Sequence, residues 1–319
     1  MKNVLVAIGN LEQRHRDKLT AAGEGCEFIF TSQREATEEQ IQWADVIIGC
    51  VPADRIKASK RLALLQLDSA GTDAYVKPGV LSEGTVLANS TGAYGKAVAE
   101  HAFALTLMLQ KKLHLYRDYQ HMSQWKDAGM VSSLSACTVA VVGLGDIGLY
   151  YARLAHAMGA HVIGVKRRAG DCPDCVDELC LSEDMDKALA RADVVASFLP
   201  GTGGTYHTYD SARFDLMKPN AIFVNCGRGS SVDSGALYEA LKSGKIAAAG
   251  IDVAEIEPLP ADSGLWGLEN IVITPHISGN YHLPDILEHV VDFACANLRA
   301  YLTNGQYINV VDMKTGYKK

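Results

Sequence analysis

The chain has 319 residues, of which 48 % are hydrophobic and 21 % charged, with 29 Gly and 9 Pro. This is the composition of a globular protein long enough for two domains, and it excludes a disordered, collagen-like or coiled-coil chain. With 30 basic against 37 acidic residues the formal charge is −7, and without a long Lys/Arg run neither nucleic acid nor an anionic membrane is expected as a partner.

The apolar run Val4–Ile8 is too short for a signal peptide and reads as a first β-strand. No apolar run approaches the ~18 residues of a membrane span. The 8 cysteines, without a secretory segment, point to a reducing cytoplasm rather than a disulfide framework. Further strands are read at Glu27–Phe30, Val46–Gly49, Leu64–Leu67 and Val86–Ala88. A second series follows at Thr138–Val142, His161–Val165, Val194–Phe198, Ala221–Asn225, Ala247–Ile251 and Val272–Thr274. Strands alternating with helical stretches indicate parallel α/β architecture, and eleven strands fit two open sheets better than one. The helical Ala97–Leu109 marks the crossover, and the helical Leu283–Leu302 carries the chain back. The expected fold is therefore α/β with two open parallel-sheet domains. A flavodoxin-like substrate domain, residues 1–96 and 286–319, is interrupted by a Rossmann cofactor domain, residues 97–285.

Thr138–Val142 runs into Gly143-Leu144-Gly145-Asp146-Ile147-Gly148 and then into a helical stretch. Strand, GxGxxG loop and helix in this order form a dinucleotide cradle. The first Gly permits the turn, the second lets a pyrophosphate approach the backbone, and the third packs helix on strand. Helix N-terminal amides, including those of Asp146 and Ile147, then receive the phosphate charge. After the next strand, where an NAD site presents a carboxylate to the ribose, stand Lys166, Arg167 and Arg168. Three cations there suit a 2′-phosphate, so NADP(H) is expected, with NAD(H) as the alternative.

Three segments end strands in the same half of the chain: Asn225-Cys226-Gly227-Arg228-Gly229, Asp252 through Glu257-Pro258, and Thr274-Pro275-His276-Ile277-Ser278-Gly279. Open α/β sheets place sites beyond the carboxyl ends of their strands, so Arg228, Glu257 and His276 can share one site suited to a carboxylated carbonyl substrate.

These segments, with Ser69-Ala70-Gly71-Thr72-Asp73 and Ala97-Val98-Ala99-Glu100-His101, occur in the order of a known family. The chain resembles the D-isomer-specific 2-hydroxyacid dehydrogenases, in their glyoxylate/hydroxypyruvate reductase-like branch, over roughly residues 44 to 311. The resemblance implies that Arg228 binds substrate, that Glu257 is the carboxylate partner, and that His276 is the acid/base. Residue chemistry agrees: guanidinium suits a 2-oxo acid better than a Lys point charge, and imidazole titrates near neutral pH. The resemblance further implies that Ser69, Ala70 and Gly71 hold the substrate carboxylate through backbone amides. Pro200, Thr205 and Cys226 would lie beside the cofactor. Asp252 would contact the nicotinamide carboxamide, or else merely cap its strand. Tyr94 and Lys96 would face the cleft, Trp125 is expected to be a packing residue, His101 a structural one, and the assembly a homodimer.

Cys172, Cys175 and Cys180 are the only metal-like spacing, but three thiols in a loop without a second pair or a His are read as ordinary residues. No metal is expected. The function implied is NADP(H)-dependent reduction of a small 2-oxo acid to the D-2-hydroxy acid. A phosphoglycerate-type dehydrogenase and a cofactor-sensing corepressor-like binding protein of the same fold are the alternatives.

Overall fold

The computed structural model describes residues 1–57 and 59–316; Tyr317–Lys319, assigned by sequence to the first domain, lie outside them. The chain separates into two compact units, one formed by Met1–Tyr94 and the chain from Tyr281 on, the other by Gly95–Asn280.

The first unit holds five strands, β1 (Asn3–Ala7), β2 (Glu27–Thr31), β3 (Val46–Ile48), β4 (Leu64–Gln66) and β5 (Val86–Ala88). They pair in parallel in the order β2-β1-β3-β4-β5, the flavodoxin-like winding. β1, β3 and β4 are buried throughout, as strands covered on both faces must be. Three helices follow in turn, α1 (Gln13–Ala22), α2 (Glu38–Trp43) and α3 (Ala53–Ile56), and the sheet is also covered by the returning helix from Pro284 to Thr303. Thr37 starts α2 with a capping box, accepting from the Gln40 amide at 3.2 Å while Gln40 Oε1 accepts from the Thr37 amide at 3.0 Å. The core gathers Leu5, Ile41, Ile47, Leu65 and Leu87.

The second unit opens with α4 (Gly95–Gln110) and α5 (Leu113–His121). Its sheet contains β6 (Thr138–Val142), β7 (His161–Lys166), β8 (Glu178–Leu181), β9 (Val194–Ser197), β10 (Ile222–Asn225), β11 (Ala248–Ile251) and β12 (Ile271–Ile273). All pair in parallel in the order β12-β11-β10-β9-β6-β7-β8, the Rossmann winding with an added strand. α6 (Asp146–Ala157) packs on β6, β7 and α4, and α4 also lies on β10 and β11. α7 (Met185–Arg191) covers β6 to β8, while α8 (Ser211–Leu216) and α9 (Ser234–Lys242) pack together. Tyr151, fully buried on α6, shares a 2.7 Å hydrogen bond with Thr106 of α4, so the two helices meet around a satisfied polar pair. The final helix is α10 (Pro284–Thr303), which belongs to the first unit and packs on α1 and β4.

Two expectations are corrected here. β8 adds a strand to the eleven read from sequence, and it carries Cys180, which is therefore in a strand and not in a loop. Trp125 does not pack within the chain: it is fully exposed, at 106 %. Among the described residues no group of His, Cys, Asp and Glu is arranged to hold a metal, and no helix is long and apolar enough to cross a membrane.

Candidate active site

β6 delivers the glycine loop at its carboxyl end, where strand order reverses between β7 and β9. Gly143 has φ +96°, a conformation side chains rarely adopt. A Cβ on Gly148 would stand 2.1 Å from the Gly143 carbonyl oxygen, so this position admits only hydrogen. Gly145 differs: a Cβ there would meet nothing within 4 Å. Its backbone borders open space, and Gly145 opens α6 without a side-chain cap. The amides at the start of this 12-residue helix, entered through Gly145, fit a dinucleotide pyrophosphate. Asp146 and Ile147 form the first turn of that helix, half-buried. The Asp146 carboxylate lies so close to Gly95 that a Cβ on Gly95 would fall 2.4 Å from it, so Gly95 is what lets α4 begin against α6.

At the end of β7, Lys166 is half-buried and its Nζ donates to the Asp171 carbonyl at 3.1 Å, while Arg167 and Arg168 are exposed. Pro200 and Thr205 lie in the loop after β9. The Thr205 hydroxyl donates to the Pro200 carbonyl at 2.6 Å and accepts from the Thr202 amide at 2.9 Å, so it serves first to close its own loop. Cys226, just past β10, is buried, and burial holds its thiol well above the ordinary range, far from a nucleophilic thiolate.

β10, β11 and β12 are neighbours, and their carboxyl ends carry Arg228, Asp252 to Glu257, and His276 respectively. Arg228 is half-buried and its Nη1 donates to the Gly227 carbonyl at 2.9 Å, which draws the guanidinium back over its own loop. Its carbonyl accepts from Asn225 Nδ2 at 3.1 Å and from the Ser231 hydroxyl at 2.7 Å. Glu257 and His276 meet directly: Oε2 of Glu257 lies 2.7 Å from Nδ1 of His276. The other Glu257 oxygen accepts from the Ala254 amide at 3.0 Å, which fixes the carboxylate. With side-chain exposures of 39 % and 48 %, the pair stands open to solvent, and Nδ1–H directed at Glu257 turns Nε2 of His276 outward. His276 has φ +52°, unusual for a residue with a side chain, and its amide donates to the Asp252 carbonyl at 2.7 Å, which holds that turn.

Asp252 is 1 % exposed, and its carboxylate accepts from the Thr274 hydroxyl at 2.6 Å, the Ile277 amide at 3.0 Å, and the Ser278 amide at 3.1 Å and hydroxyl at 2.5 Å. Its oxygens are spent on the loop that carries His276, so it orients that residue. His101 reinforces the arrangement by sharing a 2.9 Å bond with Thr274. The sequence singled out neither Thr274 nor Ser278 for this part; a hydroxyl on either side of the histidine is the signal that could have found them.

Ser69, Ala70 and Gly71 belong to the first unit and follow β4. Their carbonyls are engaged by the Ser90 amide at 2.9 Å, Asn89 Nδ2 at 2.8 Å and the Ser69 hydroxyl at 3.0 Å respectively. Among the described residues the Ala70 and Gly71 amides have no such partner, as an anion-binding turn requires. Tyr94 is also in this unit, buried, with its hydroxyl donating to the Asp68 carbonyl.

Residues 103–278 match the family described as D-isomer specific 2-hydroxyacid dehydrogenase, NAD binding domain. The chain belongs to the D-isomer specific 2-hydroxyacid dehydrogenase family. As a member it is an NAD(P)-binding oxidoreductase acting on the CH–OH group of a 2-hydroxy acid. Among members, it is 28 % identical over 291 residues to a glyoxylate reductase of Korarchaeum cryptofilum, covering 85 % of this chain and 86 % of that one. It is 33 % identical over 259 residues to a D-3-phosphoglycerate dehydrogenase of Archaeoglobus fulgidus, covering 78 % of this chain but only 48 % of that longer one. The crystal structure of a D-isomer specific 2-hydroxyacid dehydrogenase from Xanthobacter autotrophicus, in complex with NADPH and MES, superposes with a TM-score of 0.84. That structure is 25 % identical, with 99 % of each chain covered.

Proposed function

We propose that this dehydrogenase reduces a small 2-oxo acid of the glyoxylate or hydroxypyruvate class to the D-2-hydroxy acid, with NADPH as the preferred reductant. The observation that carries the reading is the His276–Glu257 pair, with Nδ1 committed to the carboxylate at 2.7 Å and Nε2 free to deliver a proton. Bound NADPH supplies the hydride. Arg228 binds the substrate carboxylate and polarises its carbonyl, and the Ser69-Ala70-Gly71 turn is a second candidate for holding a carboxylate through backbone amides. His276 donates the Nε2 proton to the carbonyl oxygen as it becomes a hydroxyl, and Glu257 stabilises the ring while it carries charge. In the oxidative direction the same nitrogen takes the proton back.

The cofactor preference rests on Lys166, Arg167 and Arg168 at the end of β7, where a 2′-phosphate would be paired by cations and no carboxylate repels it. The Xanthobacter relative bound to NADPH supports it. A homodimer is the assembly we infer, because Trp125, Met130 and Met122 leave an apolar surface in the segment after α5. Cytoplasmic residence fits the free thiols.

The test is absorbance-followed oxidation of NADPH and of NADH with glyoxylate, hydroxypyruvate, pyruvate and branched 2-oxo acids, beside oxidation of 3-phosphoglycerate. Turnover of glyoxylate or hydroxypyruvate with a higher kcat/KM for NADPH is expected. Turnover of 3-phosphoglycerate alone would favour the phosphoglycerate branch. Tight NADPH binding without any turnover would favour a cofactor sensor.

A further inference from the structure

His207 lies outside every motif that points to the reaction, yet it is tied to the loops that carry Arg228 and Glu257. It sits in the loop of Pro200 and Thr205 at φ +47°, a backbone conformation that is costly for a side chain unless its surroundings impose it. Its Nε2 lies 2.5 Å from Oε1 of Glu255, and its amide donates to the Ser230 carbonyl at 2.9 Å, next to Arg228 and Gly229. The Tyr206 ring stacks on the imidazole, centroids 3.9 Å apart and planes at 13°, and Oδ2 of Asp233 stands 3.9 Å from Nδ1. Glu255 is gripped from its other side too, since Oε2 accepts from the Ser234 amide at the start of α9, 3.1 Å away. Burial alone would raise the Glu255 carboxyl; the His207 bond and the Ser234 amide outweigh it and hold it below the ordinary carboxylate range.

Glu255 in turn precedes by two positions the carboxylate that holds His276, and Ala254, the residue just before Glu255, donates its amide to Glu257. The Ala254 carbonyl also lies so close to Gly229 that a Cβ there would fall 1.9 Å from it. The Arg228 loop, the Glu257 loop and the Thr205 loop are thus held in one packed arrangement, and the His207–Glu255 bond is the side-chain tie across it.

We propose that His207 and Glu255 act as a positioning pair for the reduction, holding the Glu257 loop so that the carboxylate stays on Nδ1 of His276. The proposal deepens the function argued above and rests on it. Neither residue touches the reacting atoms, so their loss should move geometry rather than remove chemistry.

Steady-state kinetics with NADPH and glyoxylate or hydroxypyruvate on His207→Ala, Glu255→Ala, the double variant and His207→Gln would test it, with hydrogen–deuterium exchange of the same proteins. Each alanine variant should lose ~10-fold in kcat, the scale of a misplaced catalytic group, with little change in the KM for the 2-oxo acid. The double variant should lose no more than the worse single one, because both break the same bond. His207→Gln, which keeps an N–H donor, should recover most of the rate. Exchange should rise in residues 253–259 in both alanine variants and stay near wild type in His207→Gln. Losses that multiply in the double variant, unchanged exchange at 253–259, or raised exchange with unchanged kcat would each overturn the proposal. A wild-type chain inactive on all 2-oxo acids would instead refute the function, and the exchange pattern would still decide whether this tie holds the loop.

Discussion

Gly145 and Gly148 differ by three positions in one loop and should fail in opposite ways when given a methyl group. In Gly148→Ala the new Cβ would stand 2.1 Å from the Gly143 carbonyl oxygen and 3.0 Å from its carbon. That is roughly 1 Å inside contact distance against rigid backbone, so α6 must shift on β6, at a cost of about 1–3 kcal/mol. For a unit of this size each kcal/mol lowers Tm by about 2–4 °C, so a drop of several degrees is expected without any ligand. Gly145→Ala meets no atom within 4 Å and has φ −83°, which alanine adopts freely. Its stability should remain within about 0.5 kcal/mol of wild type. The methyl would, however, project into the space where a pyrophosphate must approach the backbone. A loss of at least ~10-fold in NADPH affinity, about 1.4 kcal/mol, should follow. Calorimetric titration with NADPH and thermal unfolding with and without it separate the two effects. At a concentration of 100 Kd for wild type, bound cofactor adds about 2.7 kcal/mol, and a tenfold weaker site adds about half of that. A Gly145→Ala protein that binds NADPH as tightly as wild type would refute placement of the dinucleotide at this loop. An unchanged melting temperature in Gly148→Ala would refute the packing argument.

Four further outcomes are expected. His276→Ala should lower kcat by ~10²-fold or more while melting as wild type, since the ring is half exposed; near-normal turnover would remove it as proton donor. Arg167→Asp with Arg168→Asp should lower kcat/KM for NADPH by ~10-fold or more and leave NADH nearly unaffected, and an unchanged ratio of the two efficiencies would show that this turn does not read the 2′-phosphate. Asp252→Ala strips the acceptor from two amides and two hydroxyls in the His276 loop. It should cost about 2–4 kcal/mol in urea unfolding together with a fall in kcat, and a cost below ~0.5 kcal/mol would mean that those donors find water instead. The fourth outcome concerns acid. The Arg191 guanidinium, with His161, holds the Glu178 carboxyl at about 2, below its value in an unfolded chain. The stability it contributes is therefore present above the ordinary carboxylate range and lost as pH falls through that range toward about 2. Between neutral pH and about pH 3, Tm should fall more steeply in wild type than in Glu178→Gln; parallel curves would contradict this.

The parts of the fold visible in the sequence are those whose cause is local. Central strands such as Val139–Val142 are buried on both faces and read as unbroken β-branched and small apolar runs. The glycine loop is legible for the same reason, because each glycine answers a constraint within a few residues of itself. β8 was not visible: Glu178-Leu179-Cys180-Leu181 lies at the sheet edge, half-buried along its length, with a charged residue at its start. Only its pairing with β7 makes it a strand.

In the site, the positions of the glycine loop after β6, of the basic turn after β7, and of Arg228, Glu257 and His276 beyond strand ends could be read from the chain alone. Their order along the chain and the rule for open parallel sheets were enough to bring them to one edge. Tertiary structure alone decided what each side chain holds. Asp252 has chemistry enough for a ligand contact, but burial and four donors commit it to the His276 loop. Thr205 closes its own turn, and His207 reaches Glu255, 48 positions away. Such pairings depend on which loops the sheet sets side by side, and hydrogen bonds between residues so distant in sequence leave no periodicity or local spacing to read.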